Sequence, residues 1–159
     1  TFFGVGLLPK APGTWGSFAA LFLFFGLIYA QISFLLYFVF FIFFSIASII
    51  ICEIASKDLE EKDHKTIVID EVAGAGLSFL FIPLLGIYNS STLEWQKESY
   101  LAAFILIILF RFFDILKPYP ISFIDSKFKS GFGIVLDDLM AGVFAGLTLL
   151  GGNFFFQIF

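Results

Sequence analysis

The chain has 159 residues, of which 60% are hydrophobic and 14% are charged, and its formal net charge at pH 7 is -4. Soluble domains are about 45–50% apolar, so the excess of apolar residues indicates a protein that lies in a lipid bilayer. The acidic balance argues against a nucleic-acid partner, and the single cysteine excludes a disulfide framework.

Five apolar segments predict transmembrane helices, since a helix needs about 20 residues to cross the hydrocarbon core. In chain order, these segments are residues 15–30, 33–52, 70–87, 99–116 and 133–150. The predicted fold class is therefore all-α, a polytopic helical membrane protein with about five transmembrane helices. Residues 1–159 are predicted to form a single integral-membrane domain.

The segment Lys10-Ala-Pro-Gly-Thr-Trp-Gly-Ser17 leads into the first predicted helix. Its Pro-Gly pair favours a turn, and Thr14 is a suitable N-cap residue. A helix N-terminus attracts anions, and Lys10 together with the hydroxyls of Thr14 and Ser17 would add donors for a phosphate. An ordinary interfacial turn with a capped helix is the alternative interpretation.

Two pairs of adjacent acids, Asp70-Glu71 and Asp137-Asp138, are predicted in the first turns of the third and fifth helices. Carboxylates near hydrocarbon need a cation, a proton or access to water. One member of each pair could face a shared metal ion while the other binds a second ion or a ligand. Oxygen ligands suit Mg²⁺, Mn²⁺ or Ca²⁺. The alternative is that the acids only stabilise helix N-termini in contact with water.

Small residues in the third and fifth predicted helices indicate close contact between helices. Gly142 and Gly146 are four residues apart and therefore share one face of a helix. Such a contact would bring the two acid pairs together.

Charged residues at the end of the fourth predicted helix recur every three positions, at Arg111, Asp114 and Lys117. They share one helix face, and the planar guanidinium of Arg111 matches a phosphate group. Asp114 could orient Arg111 or add a metal ligand. The alternative is a pair of basic side chains that extend to the membrane surface and have an acidic neighbour.

Basic residues are concentrated in alternate segments between the predicted helices. Eight lie on the side that carries both acid pairs, against Lys97 alone on the other side, so the positive-inside rule places the acid pairs at the cytoplasmic face. The only histidine, His64, lies in one of these charged loops. It is either a solvated residue or a proton donor.

Four segments in order resemble the motifs of the phosphatidylglycerophosphatase A family. They are residues 4–17, 67–74, 110–121 and 131–142. The resemblance implies a Mg²⁺-dependent lipid phosphatase of the bacterial inner membrane. Such an enzyme would convert phosphatidylglycerophosphate to phosphatidylglycerol and phosphate, so its partners would be a phospholipid substrate and the bilayer.

The resemblance and the residue patterns together give a hypothesis for the site. Mg²⁺ would bind to four carboxylates: Asp70, Glu71, Asp137 and Asp138. These four would form the catalytic set together with Asp114 and His64. The phosphate would be bound by Lys10, Thr14, Ser17, Arg111 and Lys117.

Two other classes of protein place acids at a membrane surface. A CDP-alcohol phosphatidyltransferase also uses aspartates and Mg²⁺, but its usual spaced aspartate motif is not found in this sequence. A cation transporter could use the acids as ion ligands, yet the predicted acids lie at one membrane face and not in mid-span. Both classes remain alternatives to the phosphatase.

Overall fold

The computed structural model describes Phe2, Gly4 and residues 11–58, 67–89, 94–128 and 130–159. Most of these residues are helical, in the order α1 (Pro12–Tyr29), α2 (Phe34–Asp58), α3 (Ile69–Phe79), α4 (Glu98–Leu116), α5 (Ile121–Lys127) and α6 (Gly131–Phe156). A 3₁₀ turn (Ile82–Leu85) follows α3. Two short antiparallel strands, β1 (Tyr88–Asn89) and β2 (Glu94–Trp95), then lead to α4.

Four of the described helices, α1, α2, α4 and α6, are long and apolar enough to cross a membrane. The shorter helix α3 has 11 residues and rises only about 16 Å at ~1.5 Å per residue. The prediction of an all-α membrane protein is confirmed. The third predicted segment differs from a regular spanning helix, because a short helix and a 3₁₀ turn share its length.

The β1–β2 hairpin lies at the end of the bundle where α1 turns into α2. The Trp95 indole donates a 2.7 Å hydrogen bond to the Ile32 carbonyl, and the Tyr88 hydroxyl accepts one from the Phe34 amide. The segment from α3 to the hairpin therefore runs from one end of the bundle to the other. We call the opposite end, where α3 begins at Ile69 and α4 ends at Leu116, the acidic end.

Small residues allow α3 to pack directly against α6. A Cβ atom added at Gly142 would overlap the carbonyl oxygen of Gly74, and one added at Gly74 would meet the carbonyl of Asp138. Gly146 packs in the same way against the ring of Phe81. The predicted close contact between these two segments is confirmed, and it places the start of α3 beside Asp138.

Large apolar side chains cover the outside of the bundle. Phe22 is 71% exposed and Phe43 is 69% exposed, whereas Phe24 and Phe79 stack inside the core with ring centroids 4.4 Å apart. An apolar exterior of this extent fits contact with lipid better than contact with water.

Two predicted helix starts are wrong. Helix α6 begins at Gly131, where the Ser130 side chain accepts from the Gly133 amide, so Asp137 and Asp138 lie in its second turn. The field of the helix N-terminus is therefore weaker at these acids than predicted. Helix α1 begins at Pro12 after Ala11 in a left-handed conformation, so Thr14 belongs to the first turn and is not the N-cap.

Candidate active site

Three carboxylates meet at the acidic end. Asp70 and Glu71 come from the first turn of α3 and Asp138 comes from α6, and each offers one oxygen within 4.8 Å of the others. Asp70 is 8% exposed and Asp138 is 5% exposed. The glycine contact between α3 and α6 holds these acids together, and we call Asp70, Glu71 and Asp138 the carboxylate cluster.

The carboxylate cluster has the chemistry of a divalent cation site. Asp70 Oδ1 and Glu71 Oε2 are buried and have no hydrogen-bond partner among the described residues. Buried carboxylates this close repel one another unless a cation or a proton lies between them. Oxygen ligands of this kind suit hard divalent ions, so the residues present fit a metal ion.

The cluster divides the acid pairs differently from the prediction. Both members of the first pair, Asp70 and Glu71, belong to it, although adjacent helical residues point about 100° apart. Of the second pair only Asp138 belongs to it. The flexible side chain of Glu71 can reach across this angle, which the helical spacing alone did not reveal.

Asp137 instead pairs with Lys117. The Lys117 ammonium donates a 2.6 Å hydrogen bond to Asp137 Oδ2 and a 2.8 Å hydrogen bond to Asp125 Oδ1. Burial alone lowers the pKa of Lys117, but the hydrogen bonds to Asp125 and Asp137 outweigh it and raise the pKa above the ordinary value of a lysine. Lys117 is therefore a permanent cation at neutral pH.

Arg111 lies close to Glu71 of the carboxylate cluster. Its guanidinium forms an ion pair with Asp114, as predicted from their spacing, while its buried Nε has no partner among the described residues. A Cβ added at Gly13 would overlap Glu71 Oε1 and approach Arg111 Nη1 at 3.1 Å. The first turn of α1 can thus reach both groups only because residue 13 is a glycine.

These groups surround a polar cleft of about 190 Å³. Its lining residues are Asp70, Glu71, Asp114, Lys117, Asp125, Ile134, Asp137 and Asp138. Among the described lining residues, six acids face one lysine, and Arg111 next to them is already paired with Asp114. For this part of the lining, added cations would compensate the acids and favour entry of an anionic substrate.

The other predicted site residues lie outside this cleft or outside the described residues. Ser17 is fully buried and donates its hydroxyl to the Gly13 carbonyl at 3.0 Å, so the structure does not bring it to the cleft. Thr14 is half-buried, one residue after the contact of Gly13 with Glu71. Lys10 and His64 lie outside the described residues.

Sequence reasoning missed Asp125. It lies on α5, a helix of seven residues that is too short for its periodicity to stand out. The signal in the sequence was the segment Lys117-Pro-Tyr-Pro120, whose prolines end the helix and turn the chain. Such a turn can bring Asp125, eight residues after Lys117, back towards that lysine.

Comparisons with known proteins identify one family. A family model described as "Phosphatidylglycerophosphatase A" matches residues 1–153. Phosphatidylglycerophosphatase A of Haemophilus influenzae is 42% identical over 148 residues, which cover 92% of this chain and 82% of that protein. The Escherichia coli protein of the same name is 33% identical over 152 residues, with coverage of 95% and 80%.

A third relative carries a different name. It comes from Bacteroides thetaiotaomicron, is named provisionally as a phosphatidylinositol-3-phosphatase, and is 33% identical over 156 residues. The match covers 94% of this chain and 87% of that protein. No solved structure shows a significant match to the chain.

Proposed function

Because this chain belongs to the phosphatidylglycerophosphatase A family, we propose that it hydrolyses phosphatidylglycerophosphate to phosphatidylglycerol and phosphate with the help of Mg²⁺. The bond that breaks joins the terminal phosphorus to the glycerol oxygen. The observation that carries the proposal is a buried carboxylate cluster beside Arg111 and Lys117 at one end of an apolar helical bundle.

The carboxylate cluster would hold the metal ion. Asp70 Oδ1 and Glu71 Oε2, which have no hydrogen-bond partner in the described part of the chain, are oxygens that a cation would satisfy, and Asp138 completes the set from α6. Mg²⁺ bound there would act as a Lewis acid and polarise the phosphoryl group. Asp137 lies outside this set and acts through Lys117 in the proposal.

In this proposal Arg111 and Lys117, which both lie near the carboxylate cluster, bind the phosphate. A guanidinium can donate two parallel hydrogen bonds to phosphoryl oxygens, and an ammonium adds a point charge. Asp114 and Asp137 hold these two cations in place through their ion pairs. The Thr14 hydroxyl offers a further donor beside Gly13, whereas the Thr14 and Trp15 amides already donate to the Ala11 carbonyl.

The remaining steps are the attack of water and the release of the lipid alcohol. A water molecule in the cleft attacks phosphorus on the side opposite the glycerol oxygen, and Arg111 and Lys117 stabilise the charge that develops on the phosphoryl oxygens. One proton of this water stays on the released phosphate, and the other replaces the proton that the leaving glycerol oxygen takes up. The departing glycerol oxygen takes up a proton from His64 or from a protonated acid of the cleft.

The proposed enzyme is a single domain, residues 1–159, in the bacterial inner membrane. The excess of lysine and arginine in the segments at the acidic end supports a cytoplasmic active site. Because the cleft opens at the end of the apolar bundle, the lipid head group can reach it while the acyl chains stay in the bilayer. The substrate therefore does not need to leave the membrane.

Phosphate release from a panel of lipid phosphates tests this function. We expect purified protein with Mg²⁺ to release phosphate from phosphatidylglycerophosphate at least about tenfold faster than from phosphatidic acid or phosphatidylinositol 3-phosphate. A tenfold difference in rate corresponds to ~1.4 kcal/mol in the activation barrier. A preference for phosphatidylinositol 3-phosphate would instead indicate that this chain acts on the substrate for which the third relative is named. Absence of phosphate release, together with cation flux into liposomes, would replace the phosphatase by a transporter.

A further inference from the structure

Lys117 has a backbone conformation that lysine seldom adopts. It follows the last residue of α4 with φ 43° and ψ 57°, in the left-handed region, and its amide donates to the Phe113 carbonyl. Glycine and asparagine are the usual left-handed residues at a helix end, because most side chains are strained in this conformation. Glycine would therefore suit the end of α4 better, so the reason for a lysine has to lie in its ammonium group.

The Lys117 ammonium lies between two carboxylates, in the manner of a metal ion. It is 2.6 Å from Asp137 Oδ2 and 2.8 Å from Asp125 Oδ1. Carboxylates from different segments that share one cation in this way are the usual ligands of Mg²⁺ and Ca²⁺. A metal ion can therefore enter this position only if Lys117 leaves it.

The pairing of the acids leaves the carboxylate cluster in need of a cation, and Asp137 not. Among the described residues, the buried carboxylate oxygens without a hydrogen-bond partner belong to Asp70 and Glu71. The side chain of Asp137 is only 6% exposed, but it already has its cation in Lys117. One divalent ion in the carboxylate cluster is thus enough to complete the pairing of these buried acids.

We propose that the cleft binds a single divalent cation, in the carboxylate cluster, and that the Lys117 ammonium takes the place of a second metal ion. The inference rests on the proposed function and specifies its metal requirement. Phosphatases with two metal ions hold them about 3.5–4 Å apart and use both to stabilise charge in the displacement. In this protein a side chain of the chain itself would supply the second cation.

The burial of Asp137 keeps Lys117 in this position. A buried carboxylate that loses its cation has little water to replace it, which makes separation of the pair costly. The lysine is also part of the chain, so its effective concentration at the two acids is high. Mg²⁺ from solution would have to lose bound water, which it does reluctantly, before it could compete. Divalent cations therefore leave Lys117 in place.

Titration with Mn²⁺, followed by its paramagnetic signal in detergent-solubilised protein, tests the inference. We expect wild-type protein to bind one Mn²⁺ per chain and Lys117→Gly to bind two, because loss of the ammonium leaves Asp125 and Asp137 free for an ion. Glycine suits the left-handed conformation, so this variant should fold. The signal of the two ions should broaden, since ions that share one cleft couple magnetically.

Matched variants locate the second ion. Lys127→Gly removes an exposed lysine at the end of α5 and should still bind one Mn²⁺. Asp137→Asn added to Lys117→Gly should return the count from two to one, because the second ion loses its buried ligand. Lys117→Asn, which also tolerates the left-handed conformation, replaces Lys117→Gly if that variant does not fold.

Three results would overturn the inference: a wild-type count other than one, an unchanged count without the ammonium, or a second ion whose signal does not broaden. Phosphate release by wild-type protein is measured separately. Its absence would reject the proposed function, whereas the Mn²⁺ count alone decides whether Lys117 takes the place of a metal ion.

Discussion

Asp138→Asn is expected to reduce phosphate release from phosphatidylglycerophosphate by about a thousandfold, equivalent to ~4 kcal/mol of transition-state stabilisation. Asp138 is the one acid of the carboxylate cluster that α6 contributes, so its charge cannot be replaced by a neighbour on α3. An amide has nearly the same shape but no charge, and it binds a divalent cation much more weakly. The variant should fold normally because it removes repulsion between buried acids.

The measurement has two readouts. Initial rates of phosphate release give the loss of activity, and binding of Mn²⁺ followed by its paramagnetic signal gives the loss of metal affinity. Glu98→Gln, an exposed acid in the first turn of α4, is the matched control and should change neither readout. Wild-type Mn²⁺ affinity in Asp138→Asn would contradict the assignment of this residue to the metal site.

Gly142→Leu is expected to disrupt the contact between α3 and α6 and thereby to abolish activity. An added Cβ atom would overlap the carbonyl oxygen of Gly74, and a backbone atom cannot move away as a flexible side chain can. Overpacking of a helix interface costs about 1–3 kcal/mol of unfolding free energy. Since this contact also positions Asp138 beside Asp70, the loss of activity should exceed the loss of stability.

Helix α6 contains its own control for this experiment. Gly151 lies nine residues after Gly142 in the same helix, and an added Cβ there would meet no atom within 4 Å. Thermal unfolding in detergent should therefore show a lower Tm for Gly142→Leu and a nearly unchanged Tm for Gly151→Leu. Equal effects of the two substitutions would show that the α3–α6 contact is not a close backbone contact.

The segments that cross the bundle could be predicted from the sequence because hydropathy varies over about 20 residues, the length scale that the bilayer imposes. The contact of α3 with α6 was also predictable, since Gly142 and Gly146 leave one helix face without side chains. The pairing of Arg111 with Asp114 follows from their spacing on a helix. These features depend on local sequence and on helix geometry alone.

The division of the acids could not be predicted, because it depends on contacts between distant segments. The start of α6 is set partly by the Glu53 carboxylate of α2, which accepts a 2.9 Å hydrogen bond from the Gly131 amide. This start places Asp137 and Asp138 in the second turn, where Asp137 meets Lys117. A local sequence pattern predicts neither the contact between Glu53 and Gly131, which are 78 residues apart, nor the distance that the Glu71 side chain can reach.

Metal dependence of phosphate release tests the central claim, that a divalent cation in the carboxylate cluster is required for hydrolysis. We expect metal-free protein to lack activity and added Mg²⁺ to restore it. In Glu71→Gln, which removes the charge of a carboxylate whose Oε2 has no partner among the described residues, the half-saturating Mg²⁺ concentration should rise by about tenfold or more, ~1.4 kcal/mol. Full activity of wild-type protein in excess chelator would contradict the account.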